Sequence, residues 1–485
     1  MSSDPQNLLF IMSDQHSRAM LGSGGHPVVQ TPNLDELARQ GISFANAYTN
    51  SPICVPARAS LATGRYPHDI GAWDNAAPYT GDVPSWGHRL EEQGIAVTTI
   101  GKLHYRNETD DTGFADQRLP MHVLNGVGDL YTLVREAHIP IKEGVGRKQI
   151  LDAGPGESSY TQFDRAVTAE AVNYLRNEAP VSKEPWALFV SYACPHFPLI
   201  APQEYYDLYP PERVVFPKQY GLHERPKHFV LEEYRRLSGL ADELDEATIR
   251  KAIAAYYGLC TFMDAQVGQV LSALRDSGLD QTTRIIYTSD HGDSMGEHGL
   301  WFKSTMYEGA TAIPLILSGP DLPKGIRVTE NVSLVDCFPT ILDAVGVPLK
   351  EEDRDLPGES LLKLVKGAPA PNRTVFSEYH AAGSITGVFM LRDETYKYVH
   401  YVDYPPQLFD LLQDPDELTD LAADPRYKEV IRRFERQLID EIGDPGMINA
   451  AAKQDQARRL RLHGGREHVV SQGFKVPFTP VPDVK

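Results

Sequence analysis

The sequence is poor in cysteine, with four in 485 residues, and no two of them form a Cys-x-x-Cys pair. Cys54, Cys194, Cys260 and Cys337 are far apart, which argues against a disulfide framework and against a metal site built from clustered thiolates. Cys260 and Cys337 lie in apolar segments, where we interpret them as small core residues. Cys54 stands alone between two prolines and needs another explanation.

Long hydrophobic runs and an excess of positive charge are also missing. No apolar segment approaches the length that spans a bilayer, and the N-terminus has neither a basic region nor a signal-peptide core. We therefore expect a cytoplasmic protein without a membrane partner. The formal net charge of −19 argues against a nucleic acid as the main partner. A small anionic substrate stays compatible with it, because a cationic pocket can lie inside an acidic protein.

What the sequence does contain is an alternation of apolar runs and helical patterns. Five short apolar runs predict buried strands of a parallel sheet, at residues 7–12, 96–101, 186–192, 284–289 and 313–319. Helical periodicity appears between them at residues 31–41, 163–179 and 264–278. This alternation predicts an α/β domain with helices on both faces of the sheet.

Residues suited to metal or anion binding follow four of these strands. The first strand is followed by Ser13, Asp14 and Gln15 and the second by Lys102 and His104. The third is followed by Cys194 and His196 and the fourth by Asp290 and His291. Ligands of open α/β sheets bind outside the carboxyl ends of the strands. We therefore expect these side chains to meet at one edge of the sheet.

The rest of the chain predicts three further parts. Residues from about 200 to 250 are rich in proline and charge and predict an insertion over the sheet edge. A linker near residue 370 separates a catalytic domain (1–370) from a smaller domain (371–463) with a hairpin near residue 393 and a helix at 426–442. Residues 464–485 predict an extended arm. Such an arm could wrap a neighbouring subunit, so we expect a homo-oligomer, a dimer or tetramer.

Cys54 lies in the stretch SPICVPARAS. Pro56 suits the first turn of a helix that Gly64 would end, so Cys54 would lie at the helix N-terminus, where negative charge is favoured. The plain interpretation is an activated thiolate nucleophile. That interpretation gives no role to the residues suited to metal binding that follow the strands. A nucleophilic Cys194 beside His196 is a weaker alternative.

The stretch CVPARASLATGR resembles the signature of the sulfatase family. The resemblance extends over nearly the whole chain through NLLFIMSDQ, TPNLDELARQG, GKLH, PHFP, TSDHGDSMGEHGLWFKSTMYEG and LFDLLQDPDELTDLA. It implies an alkaline-phosphatase-like fold, in which a large mixed sheet flanked by helices is followed by a smaller C-terminal α+β domain with an antiparallel sheet. It also implies that a maturation enzyme oxidises Cys54 to formylglycine.

The resemblance assigns roles residue by residue. It implies a single divalent metal ion held by Asp14, Gln15, Cys54 (as formylglycine), Asp290 and His291. Cys54 would be the nucleophile and Arg58 would steady it. Lys102 and His104 match a basic pair, His196 and Lys303 match residues near the leaving oxygen, and Asn75 matches a substrate-contacting asparagine.

The chemistry of these residue types agrees with the assignment. A sulfate monoester is anionic, and Arg58, Lys102, Lys303 and a metal would supply the positive potential that attack at sulfur needs. An aldehyde hydrate has two hydroxyls, one to attack sulfur and one to expel sulfate afterwards. The oxygen donors suit calcium, manganese or magnesium. Calcium is the usual ion of the family, His291 favours manganese, and magnesium is the weakest candidate.

The ligand pairs Asp14–Gln15 and Asp290–His291 depart from the pattern of many sulfatases. They resemble the branch that contains choline sulfatases and phosphonate monoester hydrolases, whereas GKLH fits sulfatases better. We therefore predict arylsulfatase-like hydrolysis of a small-molecule sulfate monoester. Phosphonate monoester or phosphodiester hydrolysis and choline sulfate hydrolysis are the alternatives.

Two further interpretations stay open from the residues. Trp73, Trp86 and Trp301 could form a cage for a quaternary ammonium, or each could be an ordinary packed aromatic. A non-catalytic member of the fold would be expected to have lost ligand positions. All the expected positions are occupied here, so an enzyme is favoured.

Overall fold

The computed structural model describes residues 7–140, 146–367, 373–473 and 478–482. Within these residues the strands are, in chain order, β1 Asn7–Asp14, β2 Ile42–Tyr48, β3 Ala96–Lys102, β4 Asp116–Met121, β5 Gly154–Pro155, β6 Trp186–Pro195, β7 Ile200–Ala201, β8 Thr283–Ser289, β9 Ala312–Ile313, β10 Leu315–Ser318, β11 Ile326–Ser333, β12 Val375–Tyr379, β13 Val388–Arg392, β14 Tyr396–Tyr401 and β15 Tyr404–Asp410.

The predicted apolar runs form the centre of one large sheet. In the described part of the chain this sheet has nine strands in the order β11-β2-β10-β8-β1-β6-β3-β4, with β9 paired to β2. Strands β8, β1, β6 and β3 are neighbours and run parallel, and Phe10 at the centre of β1 pairs in register with Phe189 and Ile286. Their carboxyl ends therefore meet at one edge, as predicted.

The fifth apolar run does not run parallel to the others. Strand β10 is antiparallel to both β8 and β2, so the sheet is mixed. A parallel return would need a crossover to the far end of the sheet. Here residues 290–314 stay near the carboxyl edge of β8, where Gly292 N donates to Ala310 O, so β10 starts at that edge and runs back.

Helices cover both faces of the sheet, as the alternation predicts. Within the described residues they are α1 Pro32–Gln40, α2 Cys54–Thr63, α3 Pro67–Ile70, α4 Trp86–Glu91, α5 Arg147–Leu151, α6 Ser159–Asn173, α7 Gln203–Tyr206, α8 Phe229–Leu237, α9 Glu246–Asp276, α10 Glu308–Thr311, α11 Cys337–Ala344, α12 Leu361–Val365, α13 Lys428–Ile442, α14 Pro445–Leu462 and α15 Arg466–Gln472.

The alternation of side chains along β1 assigns these helices to the two faces. Leu9 and Ile11 join a core formed with α1, α6 and α9, whereas Leu8, Phe10 and Met12 join a core formed with α2, α4 and α11. Successive side chains of a strand point to opposite faces. Both cores are therefore built from the same strand. Among the described residues no helix combines the length and apolar character that crossing a bilayer requires.

The C-terminal part contains the expected antiparallel sheet, in the order β12-β13-β14-β15. The predicted hairpin near residue 393 joins β13 to β14, where Asp393 N donates to Tyr396 O. Helix α13 covers this sheet with Phe434 and Leu438. Residues 368–372, where the domain boundary is predicted, lie outside the described residues.

The arm predicted at residues 464–485 is not extended throughout. Residues Arg466–Gln472 form helix α15, and Val469 is buried against Tyr131 and Leu237 of the same chain. Further on, the Phe478 ring packs edge-on against Tyr160 with centroids 5.0 Å apart. A few well-placed apolar side chains are enough to dock this polar segment on its own subunit. The homo-oligomer stays a prediction, but it loses the support that a free arm would have given it.

Candidate active site

Cys54 is the first residue of helix α2, and Gly64 in the left-handed conformation (φ 69°) ends that helix. Pro56 lies in the first turn, as predicted, where a missing amide proton costs nothing. All ten residues of the helix are buried. The sequence pattern therefore placed Cys54 correctly at the N-terminus of a rigid, buried helix.

Three predicted site residues surround the Cys54 sulfur. Lys303 Nζ lies 3.0 Å from Sγ and His291 Nε2 lies 3.2 Å from it. Asp14 Oδ1 lies 3.8 Å from Sγ. Four ligand atoms, one each from Asp14, Cys54, Asp290 and His291, all lie within 4.8 Å of one another. This buried group has the size and the donor types of a metal site.

Gln15 adds an oxygen beside this group. Its Nε2 donates to Asp293 Oδ2 at 2.6 Å, and its backbone N–H donates to Asp290 Oδ1 at 3.1 Å. Its Oε1 is buried and has no hydrogen-bond partner. A buried oxygen without a partner is costly unless something else binds it. The residues present therefore fit a divalent cation.

Arg58 ties the two carboxylates together. Its Nε donates to Asp290 Oδ2 at 2.8 Å and its Nη2 donates to Asp14 Oδ2 at 3.3 Å. Its Nη1 donates to Lys102 O and Ser191 Oγ. Among the described contacts Arg58 makes no hydrogen bond to Cys54 Sγ. It orders the two carboxylates next to Cys54.

The two carboxyl groups differ in acidity. Burial works against ionisation of Asp14, but the charges of Lys102, His196, Lys303 and Arg58 hold its pKa well below the usual range. Lys102 Nζ lies 2.7 Å from Asp14 Oδ2. Burial and the charge of Asp14 raise the pKa of Asp290 to about 6. Two ionised carboxylates this close repel each other, and a divalent cation between them would remove that cost.

Two of the three predicted histidines, His104 and His196, differ in their environments. His104 is buried and neither of its ring nitrogens has a hydrogen-bond partner. His196 Nδ1 donates to Phe197 O at 2.6 Å, which leaves Nε2 as a lone-pair acceptor in the neutral ring. Burial, followed by the neighbouring lysine charges, lowers the pKa of both rings well below the usual value.

A cavity of about 500 Å³ opens above Cys54. His104, His196, Lys303 and Asn75 line it, and Asn75 Oδ1 accepts a hydrogen bond from Val55 N at 3.2 Å. The structure therefore brings every predicted site residue either to this cavity or to the carboxylate group beneath it.

Trp73, Trp86 and Trp301 do not line this cavity within the described residues. Trp86 packs edge-on against Phe10 and Phe114, and Trp73 packs edge-on against His380. Trp301 is buried, with its ring 6.3 Å from the Phe302 ring. The three tryptophans are packed aromatics, so the structure does not support a tryptophan cage.

The sulfatase family model matches residues 6–347 of the chain, and a second model, N-sulphoglucosamine sulphohydrolase, C-terminal, matches residues 296–444. The chain belongs to the sulfatase family. This confirms the resemblance seen in the motifs, and sulfuric ester hydrolysis is accordingly the activity of its family.

Similar proteins cover nearly the full length of this sulfatase. It is 32% identical over 476 residues to a choline-sulfatase of Rhizobium meliloti (strain 1021), which covers 95% of this chain and 91% of the relative. It is 31% identical over 475 residues to arylsulfatase K of Homo sapiens, covering 92% and 84%.

Among solved structures, the sulfatase resembles the phosphonate monoester hydrolase SpPMH from Silicibacter pomeroyi, with a TM-score of 0.72 and 25% identity over 90% of this chain and 95% of that chain. The predicted fold class is confirmed, with a large mixed sheet and a C-terminal antiparallel sheet.

Sequence reasoning missed several residues that shape the site. Asp293 orients Gln15 and also accepts from the backbone N–H of Phe302 at 2.9 Å. Tyr160 lines the cavity with its ring 5.7 Å from Lys102 Nζ. Asp293 follows Asp290 by three residues and could have been noticed, whereas no local pattern marks Tyr160. Cys194 is buried and burial raises the pKa of its thiol, which does not suit a nucleophile.

Proposed function

We propose that this sulfatase hydrolyses small-molecule sulfate monoesters with a nucleophile made from Cys54 by oxidation to formylglycine. The observation that carries the proposal is the position of Cys54. Its sulfur lies within 3.2 Å of both Lys303 and His291, and no other cysteine of the described residues lines the cavity. The names of the choline-sulfatase and arylsulfatase K relatives support the same class of substrate.

The residues that would hold the metal are Asp14, Gln15, Asp290, His291 and the modified Cys54. When bound, a divalent cation would neutralise the two carboxylates and polarise the sulfate oxygens. We propose calcium or manganese, because oxygen donors predominate and His291 adds an imidazole.

The modified residue would supply a hydrate with two hydroxyls, one that forms the bond to sulfur and one that later expels sulfate as the aldehyde returns. Lys303, which lines the cavity, would hold the anionic ester by charge, and Lys102 would add positive potential from its position beside Asp14. Arg58 keeps Asp14 and Asp290 oriented beside residue 54. The sulfur–oxygen bond to the organic group breaks, and that oxygen leaves as an alcohol or phenol after it takes up a proton.

Peptide mass spectrometry together with one variant tests this proposal. The peptide containing residue 54 should carry an aldehyde or its hydrate when a maturation enzyme is present. Cys54→Ala should lose turnover of an aryl sulfate and keep its thermal unfolding midpoint within a few degrees. Cys337→Ala, which also removes a buried thiol, should stay active. Full activity in protein that carries only unmodified Cys54 would overturn the mechanism.

The resemblance to SpPMH supports a second candidate, hydrolysis of phosphonate monoesters or phosphodiesters. The two functions are separated by kcat/KM for an aryl sulfate, choline sulfate and an aryl phosphonate monoester, measured in parallel. We expect a sulfate ester to be the best substrate. Cytoplasmic location, a maturation enzyme as partner and a homo-oligomeric state stay predictions.

A further inference from the structure

The cavity is larger than its reactive group needs. A sulfate group would fill only a small part of about 500 Å³, which is the size of a pocket for a whole drug-like molecule. The volume therefore leaves room for an organic group of ring size or larger beside the sulfate.

Much of the remaining lining is apolar. Its apolar side chains include Leu124, Leu130, Phe197, Leu237, Val469 and Phe478. Asp129 also lines the cavity. Its Oδ1 accepts a hydrogen bond from Tyr131 N, so the protein backbone already stabilises part of its negative charge. This lining suits an uncharged, apolar group better than a sugar or a small cation.

The four tyrosines of the lining also present ring surface. Their hydroxyls all donate to backbone carbonyls: Tyr131 to Pro140 O at 2.6 Å, Tyr160 to Thr479 O at 2.9 Å, Tyr379 to Ala382 O at 2.6 Å, and Tyr234 to Trp301 O. A hydroxyl that already donates its proton is a poor donor to a second partner. The rings are what a substrate would meet.

The C-terminal segment, residues 466–473 and 478–482, connects this lining to the reactive residues. Val469 of the segment packs with Leu237, and Phe478 packs on Tyr160. The Tyr160 ring lies 5.7 Å from the His196 ring and 5.7 Å from Lys102 Nζ. A displacement of Phe478 would therefore remove a contact from Tyr160, the residue that lies beside the predicted catalytic residues His196 and Lys102.

We propose that the C-terminal segment is a substrate-binding element and that Phe478 is a specificity-determining residue, which with Tyr160 receives an aromatic or apolar organic group of the ester. This inference rests on the proposed function for the identity of the ester. The binding site itself can be tested without turnover.

The test is binding of 2-naphthol, an uncharged bicyclic product, to the full-length protein, measured by its fluorescence. Removing the Phe478 ring should weaken binding by about tenfold to 100-fold, as expected when one aromatic contact is lost from an apolar site. Val481→Ala is the matched control. Val481 belongs to the same segment and packs on the core, but it does not line the cavity.

We expect a large loss of naphthol affinity in Phe478→Ala and little change in Val481→Ala. Tyr160→Phe should lose less affinity than Phe478→Ala, because it keeps the ring and removes only the hydrogen bond to Thr479 O. In turnover, Phe478→Ala should raise KM for 2-naphthyl sulfate more than for methyl sulfate or choline sulfate. Equal naphthol affinity of Phe478→Ala and the wild-type protein would overturn the inference. Equal losses of affinity in Phe478→Ala and Val481→Ala would also overturn it. Tight naphthol binding without any sulfate turnover would instead count against the proposed function.

Discussion

Lys303 and His196 both face the cavity, but they differ in what they can give to a departing oxygen. Burial disfavours a charged Lys303, but the charges of Cys54, Asp14 and Asp290 raise its pKa, and the two carboxylates keep acting in this way after Cys54 is oxidised, so Lys303 holds its proton. The Nδ1–H group of His196 donates a hydrogen bond to Phe197 O. In the neutral ring Nε2 therefore carries a lone pair and has no proton to give to a leaving oxygen. The geometry therefore favours Lys303 as the acid.

Lys303→Ala is expected to slow esters with poor leaving groups by about 10²–10⁴-fold. Nitrophenyl sulfate should be affected much less, because nitrophenolate departs without a proton. The measurement is the slope of log kcat/KM against leaving-group pKa, which should become steeper. His196→Ala, the comparison variant, should change this slope less. A steeper slope for the His196 variant alone would assign the acid role to His196.

Asp290 is the carboxylate whose removal should empty the metal site. It lies in the four-atom group with Asp14, Cys54 and His291. Asp290→Asn should lose bound metal and lower activity by more than about 100-fold, beyond the loss typical of a residue that only orients a ligand. Elemental analysis by mass spectrometry measures the metal. Asp74→Asn, a buried carboxyl held by Gln456, should keep its metal. Stoichiometric metal in Asp290→Asn would remove Asp290 from the site.

Helix α2 positions Cys54 at one end and depends on Gly64 at the other. A Cβ at Gly64 would lie 2.9 Å from Phe338 Cβ, and φ is 69°. Gly94 has a similar φ of 75°, but nothing lies within 4 Å of its Cβ position. The two glycines share the same backbone strain and differ in the clash.

Gly94→Ala should lower the free energy of unfolding by about 1–2 kcal/mol, the cost of a side chain in the left-handed region. Gly64→Ala should cost about 1–3 kcal/mol more, because it also displaces α11. Urea unfolding of both variants measures the difference. Activity should fall only in Gly64→Ala, since only that change shifts α2. Equal stability of the two variants would show that the Phe338 contact relaxes freely.

At the scale of the whole molecule, a buried ionic cluster joins the C-terminal sheet to helix α3, which contains His68. Glu378 on β12 accepts from His68 Nδ1 at 2.8 Å and from the His68 backbone N–H at 2.9 Å. His380 Nε2 lies 2.7 Å from the other carboxylate oxygen. Burial works against ionisation of Glu378, but His68 and His380 lower its pKa from 4.5 to about 2. Burial likewise opposes the charged form of His68, but Glu378 raises the pKa of His68 above 6.5.

The stability supplied by this cluster should depend on pH. The depressed pKa of Glu378 contributes stability above pH 4.5 that is lost as pH falls towards 2. The raised pKa of His68 contributes stability that is complete below pH 6.5 and lost as pH rises through its folded value. The contribution of the Glu378–His68 pair is therefore largest between pH 4.5 and 6.5. Burial lowers the pKa of His380, which costs some stability as pH falls below 6.5.

Glu378→Gln should lower the free energy of unfolding by about 3–5 kcal/mol inside that window, as for a broken buried pair. Thermal unfolding of both proteins across pH measures the difference, which should shrink on either side. Glu441→Gln, on an exposed acid that accepts from Tyr66 at the same interface, should show no such window. A difference that is constant with pH would mean that the cluster acts by packing alone.

The predicted homo-oligomer also belongs to this scale. Because part of the C-terminal segment docks on its own chain, assembly would need a different surface. Light scattering of the full-length protein measures the oligomeric state, and a monomer would refute the prediction.

Local patterns determined much of this protein. The apolar runs and the residues after them specified four parallel strands and the edge at which Asp14, Lys102, His196 and Asp290 meet, because strand direction follows from crossover connections. Pro56 and Gly64 specified both ends of the Cys54 helix, because each residue has a backbone preference of its own.

Only the tertiary structure decided the rest. The reversed β10, the free oxygen of Gln15, the neutral acceptor at His196 and the docked C-terminal segment all depend on partners distant in sequence. Tyr160 and Phe478 are 318 residues apart and meet only when the chain closes on itself. A local pattern specifies what a residue can do, whereas its partners, set by long-range packing, decide which of those possibilities is used.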